Sequence, residues 1–408
     1  MRKSLGVAAA TGLLATAVAA PALAQDSKVI NIPEGEPVTL GVYQVLSGAN
    51  AVLGQDMVFG IQSAVVERDG ELLGHEIELN IQDELCTAEG GAQAALALTS
   101  DPTVVGIIGS SCSSATVGGV QTITESGLTS ISGSATANAL TQPDRGPELD
   151  GFLRTAFPDE FQGSTVADFI FGELGLTKAA TIHDGSPYAS GLVDDFTRFY
   201  TALGGEITLA EAVSDGQTDM SPVLTNVAAG EPQIIYFPIF TDEGGFIADQ
   251  AADVTGLEDV VLMGSDGMFS LDFIAAAGDN SEGMYISGPS QELGEVYESM
   301  VQTYLEISGL DTTLQAFHGH TYDATNILLN AIEQVAVEGD DGSLSIDLAE
   351  LRSAVYATTD HQGATGVLSC NEFGDCSSPA IDVFQVTTEQ MDDGVWPPPV
   401  VWNPAMAE

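Results

Sequence analysis

Residues 104–116 read Val104-Val105-Gly106-Ile107-Ile108-Gly109-Ser110-Ser111-Cys112-Ser113-Ser114-Ala115-Thr116. A short apolar run breaks into a string of small hydroxyl residues, and a helical pattern follows over 114–126. An unbroken apolar run of this length suits an inner strand of a parallel sheet, buried on both faces. In a doubly wound sheet such a strand delivers its loop to the carboxyl edge, where ligands bind against helix N-termini. Free N–H groups and the positive end of the helix dipole there favour a carboxylate, and serine hydroxyls add donors. Ordinary N-capping by Ser113 or Ser114 is the alternative for this segment taken alone.

The same strand–loop–helix pattern recurs on both sides of this stretch. Strands are expected over 38–45, 77–83, 104–108 and 129–132, alternating with helices over 54–68, 87–100 and 114–126. A second series follows Arg154-Thr155-Ala156-Phe157-Pro158, with strands over 179–183, 206–213, 234–238 and 260–264. Its helices are expected over 165–174, 189–203, 220–229 and 241–254. Two tandem α/β units, each a doubly wound Rossmann-like lobe, account for a chain of 408 residues, too long for one compact core. Further helices over 293–308 and 321–337, a hairpin region over 363–386 and an extended strap at Pro397-Pro398-Pro399 complete the expectation.

The loop at Ser132-Gly133-Ser134-Ala135-Thr136-Ala137-Asn138 repeats the small, hydroxyl-rich pattern one unit later. Small residues let backbone approach a ligand, and Thr136 offers both a hydroxyl and an amide. No Lys or Arg stands near either loop in sequence, which favours a carboxylate over a phosphate. In the second series, Met263-Gly264-Ser265-Asp266-Gly267 ends a strand on an acid that can pair with an ammonium group. Tyr188 and Phe240 lie on neighbouring loops as candidate walls of an apolar pocket.

Composition narrows the function. Nine basic residues face 59 acidic ones, for a formal charge of −50, a surface that repels nucleic acid and anionic lipid. The acids are dispersed along the chain, as in a surface solvated at high salt. Residues 1–24 read as a signal peptide: Arg2 and Lys3, an apolar run over 6–20, and Ala22-Leu23-Ala24 as the cleavage site. The expected location is therefore periplasmic, with no later segment apolar enough to span a membrane.

Four cysteines in an exported chain imply two disulfides, with three pairings open. Cys370 and Cys376 bracket a turn-rich stretch suited to a local staple, which leaves Cys86 with Cys112. The chain-entropy model assigns about 3.5 kcal/mol to the longer loop and about 2.4 kcal/mol to the staple. No CxxC spacing supports a metal site, and neither a metal nor a cofactor is expected. There is no G-x-S-x-G, no G-x-x-x-x-G-K-[ST] and no H-E-x-x-H, so no enzyme signature emerges. His318-Gly319-His320 reads as a turn before a helix, and His183 lacks an identifiable nucleophile.

From about residue 38 to 386 the chain resembles the branched-chain amino-acid (Leu/Ile/Val) binding proteins of ABC transporters, of the type I periplasmic binding fold. The resemblance rests on the order of many short motifs. In the first half these are Leu46-Ser47-Gly48, Asp83 with Cys86, Ile108-Gly109 with Cys112-Ser113-Ser114, Ser132 with Ala135-Thr136, and Arg154-Thr155. His183-Asp184, Tyr188-Ala189-Ser190-Gly191, Met263-Gly264 with Gly267, Glu282-Gly283 and Thr321-Tyr322-Asp323-Ala324 follow. The resemblance implies two lobes joined by three crossovers, near 157–159, 288–290 and Gln385, with 26–157 and 290–385 in lobe one and 158–289 and 386–408 in lobe two. It implies a carboxylate held by Ser113, Thr136 and the backbone at Ala135, and an ammonium met by Asp266. Tyr188, Phe240, Leu53 and Tyr322 match positions that shape the pocket or cleft, and Cys86–Cys112 matches the family's disulfide.

Asp266 stands where the best-known members carry glutamate, Leu53 and Phe240 where an aromatic or a tyrosine is frequent, and the Cys370–Cys376 staple is absent from them. The implied function is capture of an α-amino acid by a monomer that docks on a membrane permease after hinge closure. Relatives in this fold also bind amides, urea and aromatic acids, and a ligand-sensing module for a membrane receptor is the other role open to such a binder.

Overall fold

The computed structural model describes residues 28–291 and 294–407. The signal-peptide segment expected over 1–24 lies outside the described residues, as does Leu293 at the expected start of a helix.

Two sheets organise the chain. The first has six strands, in the order Glu71–Leu72, His75–Asp83, Val38–Gln44, Val104–Gly109, Ser130–Ser132 and Phe152–Arg154, parallel except at the short first edge strand. Its inner strands Val38–Gln44 and Val104–Gly109 are buried at every position, as a sheet covered on both faces requires. The second has seven strands, in the order Val400–Trp402, Ile381–Gln385, Tyr285–Pro289, Val261–Gly264, Ile234–Tyr236, Lys178–His183 and Glu206–Ala212. Its last five strands are parallel, and Ile381–Gln385 and Val400–Trp402 add antiparallel.

The chain passes between the sheets three times. It leaves the first after Phe152–Arg154 for the helix Asp159–Asp168, and returns after Tyr285–Pro289 to the helix Glu295–Ser308. The third passage departs from the expectation at Gln385. Strand Ile381–Gln385 pairs in full register with Tyr285–Pro289, so it belongs to the seven-stranded sheet and the crossover precedes Ile381. Lobe one accordingly does not extend to 385. The expected strap is partly a strand, Val400–Trp402, on the edge of the same sheet.

Smaller differences concern helix starts. The helix expected from 321 begins at His318, one turn earlier, so His318 and His320 lie in its first turn instead of before it. The helix expected over 54–68 is Ala51–Val66, and that over 165–174 is Asp159–Asp168 continued by a wider turn to Glu173. Both expected disulfides form, Cys86–Cys112 and Cys370–Cys376. Among the described residues no helix is long and apolar enough to cross a membrane.

Candidate ligand-binding cleft

The loop before the helix Ser113–Ser126 lines one side of the cleft with Ser111, Cys112 and Ser113. Cys112 precedes the helix Ser113–Ser126, tied covalently to Cys86 and by its N–H to the buried Glu84 carboxyl at 3.1 Å. Ser111 Oγ donates to Gln44 Oε1 at 2.6 Å and accepts the Val45 N–H. The first N–H groups of the helix, at Ser113 and Ser114, have no intrahelical acceptor. The neighbouring loop is locked to this one: Ser134 Oγ donates to Ser111 O at 2.7 Å, and the Ala137 N–H donates to Ser113 Oγ at 3.2 Å.

Within that loop the candidates separate. The Ala135 N–H donates to Ser132 Oγ at 2.9 Å, so the amide expected to join the clamp is engaged inside its own turn. The Thr136 N–H has no partner among the described residues, and neither has its fully buried Oγ1. A buried donor pair left open in an otherwise bonded loop is where a ligand acceptor fits.

The second wall comes from the seven-stranded sheet. Tyr188, in the first turn of the helix Pro187–Leu203, donates to Asp266 Oδ1 at 3.0 Å and accepts the Gly267 N–H at 3.2 Å. Any side chain at Gly267 would come within 2.7 Å of Ile239 O, so the backbone there stays bare. Burial, opposed by Gln162 and Tyr188, pushes the Asp266 carboxyl up to about 6. Burial and then the Asp266 charge push the Tyr188 hydroxyl well up.

Ser111, Ser113, Ser134, Leu53 and Phe317 from the first lobe close on Tyr188, Phe240, Asp266 and Gly267 from the second around a cavity of about 10 Å³. That volume is about the room one water needs, so an amino acid enters only if the lobes part. Gln315 Nε2 reaches across to Asp266 O at 3.0 Å, and Asn138 bonds Asp195 on the far lobe, so the described cleft is closed. Outside it, past Phe240, lies an open vestibule of about 570 Å³ with Asn50 on one side and Asp184, Asp242 and Glu243 on the other. A surface groove of about 410 Å³ beside Glu258 and Asp279 on the second lobe contains none of the clamp residues.

Sequence reasoning missed the most informative residue. Asp159 opens the helix after the first crossover, is fully buried, and neither of its carboxylate oxygens has a hydrogen-bond partner. Its N–H donates to Thr136 O at 3.0 Å, which sets it against the clamp loop. The Thr136 hydroxyl is near enough to favour the ionised form, although the two make no hydrogen bond of normal geometry. Burial first, and then the charge of Asp266, raise its carboxyl well above the usual range. Asp159 thus lies close enough to Asp266 to feel its charge, while Asp266 alone of the two lines the cavity.

Tyr322 is a correction. It is buried beside Tyr297, Met300 and Tyr304, with its hydroxyl on Glu67, and does not line the cavity. Tyr322 faces the helix Glu295–Ser308, and Phe317, just before the helix His318–Val335, lines the cavity. His318 is held by Asp56 and Tyr297, and burial pushes His320 down to about 3. Among the described residues no cluster of three or more His, Cys, Asp or Glu side chains could hold a metal ion.

The sequence profile described as periplasmic binding protein matches residues 37–373. The chain belongs to that family. Periplasmic binding proteins of this type are solute binders of ABC transporters, not enzymes, and membership implies an extracytoplasmic location. The chain is 25% identical over 360 residues to Leu/Ile/Val-binding protein homolog 3 of Brucella melitensis, covering 88% of this chain and 92% of that one. A leucine-binding protein of Thermotoga maritima superposes with a TM-score of 0.77 at 25% identity, over 90% of this chain and 99% of that one. A Rhodopseudomonas palustris ABC-transporter solute-binding protein in complex with benzoate shares the fold, with a TM-score of 0.72 at 18% identity over 86% and 93% of the two chains.

Proposed function

We propose that this periplasmic binding protein captures an α-amino acid with an apolar side chain in the interlobe cleft and passes it to a membrane permease. One observation carries the reading: Ser113 on one lobe and Asp266 on the other line the same closed cavity, and just behind its lining lie Thr136, with an open N–H, and Asp159, a buried acid without a hydrogen-bond partner. A carboxylate completes the donors and an ammonium the acids. An aromatic acid such as benzoate would satisfy only the donors and bring no cation to Asp266 or Asp159. Leu53, Phe240 and Phe317 supply apolar walls suited to a branched side chain. The names of the Brucella and Thermotoga relatives point the same way.

The mechanism follows from contacts on both lobes. A ligand touching both has differential affinity for the closed form, and closure presents one defined surface to the permease. A thermal-shift panel of the common amino acids, urea, short amides and aromatic acids in molar salt tests the ligand class. Stabilisation by leucine, isoleucine or valine supports it; stabilisation by benzoate alone sinks it. Loss of labelled amino-acid uptake on deleting the gene supports transport, whereas unchanged uptake points to a sensor role.

A further inference from the structure

Arg154 is the largest fully buried side chain among the described residues, and it does not line the cavity. Its Nη1 donates to three successive carbonyls, Ala135 O at 3.2 Å, Thr136 O at 2.7 Å and Ala137 O at 3.0 Å. Nη2 is held by Thr141 Oγ1 and by Asp375 Oδ2 at 3.3 Å. In a planar trans peptide the N–H points opposite to the C=O. Gathering these carbonyls behind the loop therefore turns the amides of Thr136 and Ala137 the other way. The Ala137 N–H indeed meets Ser113 Oγ, and that of Thr136 is left open.

Asp375 belongs to the loop closed by Cys370–Cys376, and that loop grips Arg154 by its backbone as well. The Arg154 N–H donates to Gly374 O at 2.9 Å, and the Cys376 N–H donates to Arg154 O at 2.9 Å. The staple thus fixes both ends of the arginine.

We infer that Arg154, braced by the Cys370–Cys376 loop, is a positioning residue that shapes the carboxylate half of the ligand clamp. The inference rests on the proposed amino-acid reading and adds how that half is built. A lysine keeps the charge but lacks the planar fork, so it cannot serve three carbonyls together with Thr141 and Asp375.

The test compares L-leucine with L-leucinamide, which keeps the ammonium and side chain but has no carboxylate, by calorimetric titration of wild type and Arg154→Lys. The expected result is a leucine affinity lower by roughly tenfold or more, the scale of one hydrogen bond to a charged group, with a smaller loss for leucinamide. The leucine-to-leucinamide ratio then falls. A purely structural role would weaken both equally, and an unchanged ratio overturns the inference while leaving amino-acid binding intact. Should Arg154→Lys fail to fold, the paired Cys370→Ser and Cys376→Ser variant, which retains the arginine, carries the same comparison with the same two outcomes. Wild-type protein that binds none of leucine, isoleucine and valine would remove the proposed function and this inference with it.

Discussion

Replacing Asp266 with asparagine should make the ligand-free protein more stable and the ligand weaker, in the same variant. The carboxyl sits at about 6 in the fold against 3.8 when unperturbed, with burial as the leading cause. The fold therefore holds the proton more tightly than the unfolded chain does. The penalty is absent below 3.8, grows as pH rises, and is complete above about 6. At pH 8 it amounts to roughly 3 kcal/mol. Asparagine keeps the shape and can still accept from Tyr188, but it has no charge to desolvate. Urea unfolding at pH 8 should therefore show a higher midpoint for Asp266→Asn without ligand, and the gap should close as pH falls towards 4. Against this, loss of a charge-assisted hydrogen bond to the ammonium should weaken leucine binding by roughly 10- to 100-fold. A variant less stable than wild type at pH 8, or one with wild-type affinity, would refute the reasoning.

Three further outcomes follow from the same geometry. Asp159→Asn, which removes a buried carboxylate without a hydrogen-bond partner, should also stabilise the ligand-free protein and weaken leucine binding, measured by the same two assays; unaltered affinity would exclude Asp159 from the amine site. In wild type the leucine affinity should fall about tenfold or more between pH 7 and pH 5, as Asp266 takes up a proton near 6; an affinity unchanged over that range would contradict an ionised Asp266 partner. Tyr322→Phe should leave leucine affinity unchanged, since its hydroxyl binds Glu67 away from the cavity, and a large loss would restore Tyr322 to the cleft.

The two doubly wound lobes were legible because inner parallel strands such as Val104–Gly109 are apolar throughout and each is followed by a helical period. The hydroxyl loop after Val104–Gly109 was legible as a loop, but not the use of its donors: Ser110 and Ser111 turn theirs inward, to Cys112 O and Gln44, and Ser113 lines the cavity. Ile381–Gln385 was assigned to the wrong lobe because an apolar strand carries no mark of which sheet it joins; only its register with Tyr285–Pro289 decides. Asp159 was invisible because an acid in the first turn of a helix usually stabilises the helix dipole at the surface. What sets it apart is full burial at the crossover, a property of how the lobes meet. Tyr322 came to the cleft through the family resemblance alone; a tyrosine in the first turns of a helix carries no mark of which neighbour it faces, and here it packs on the helix Glu295–Ser308. Arg154-Thr155 reads as a motif, but the three carbonyls that explain the arginine belong to a loop 17 to 19 residues earlier.

The most direct test is a crystal structure of the protein grown with L-leucine at pH 8 in high salt. The account predicts one leucine between the lobes, its carboxylate on Ser113 and the Thr136 amide and hydroxyl, and its ammonium between Asp159 and Asp266. Leucine bound in the opposite orientation, or only in the outer vestibule, would contradict it.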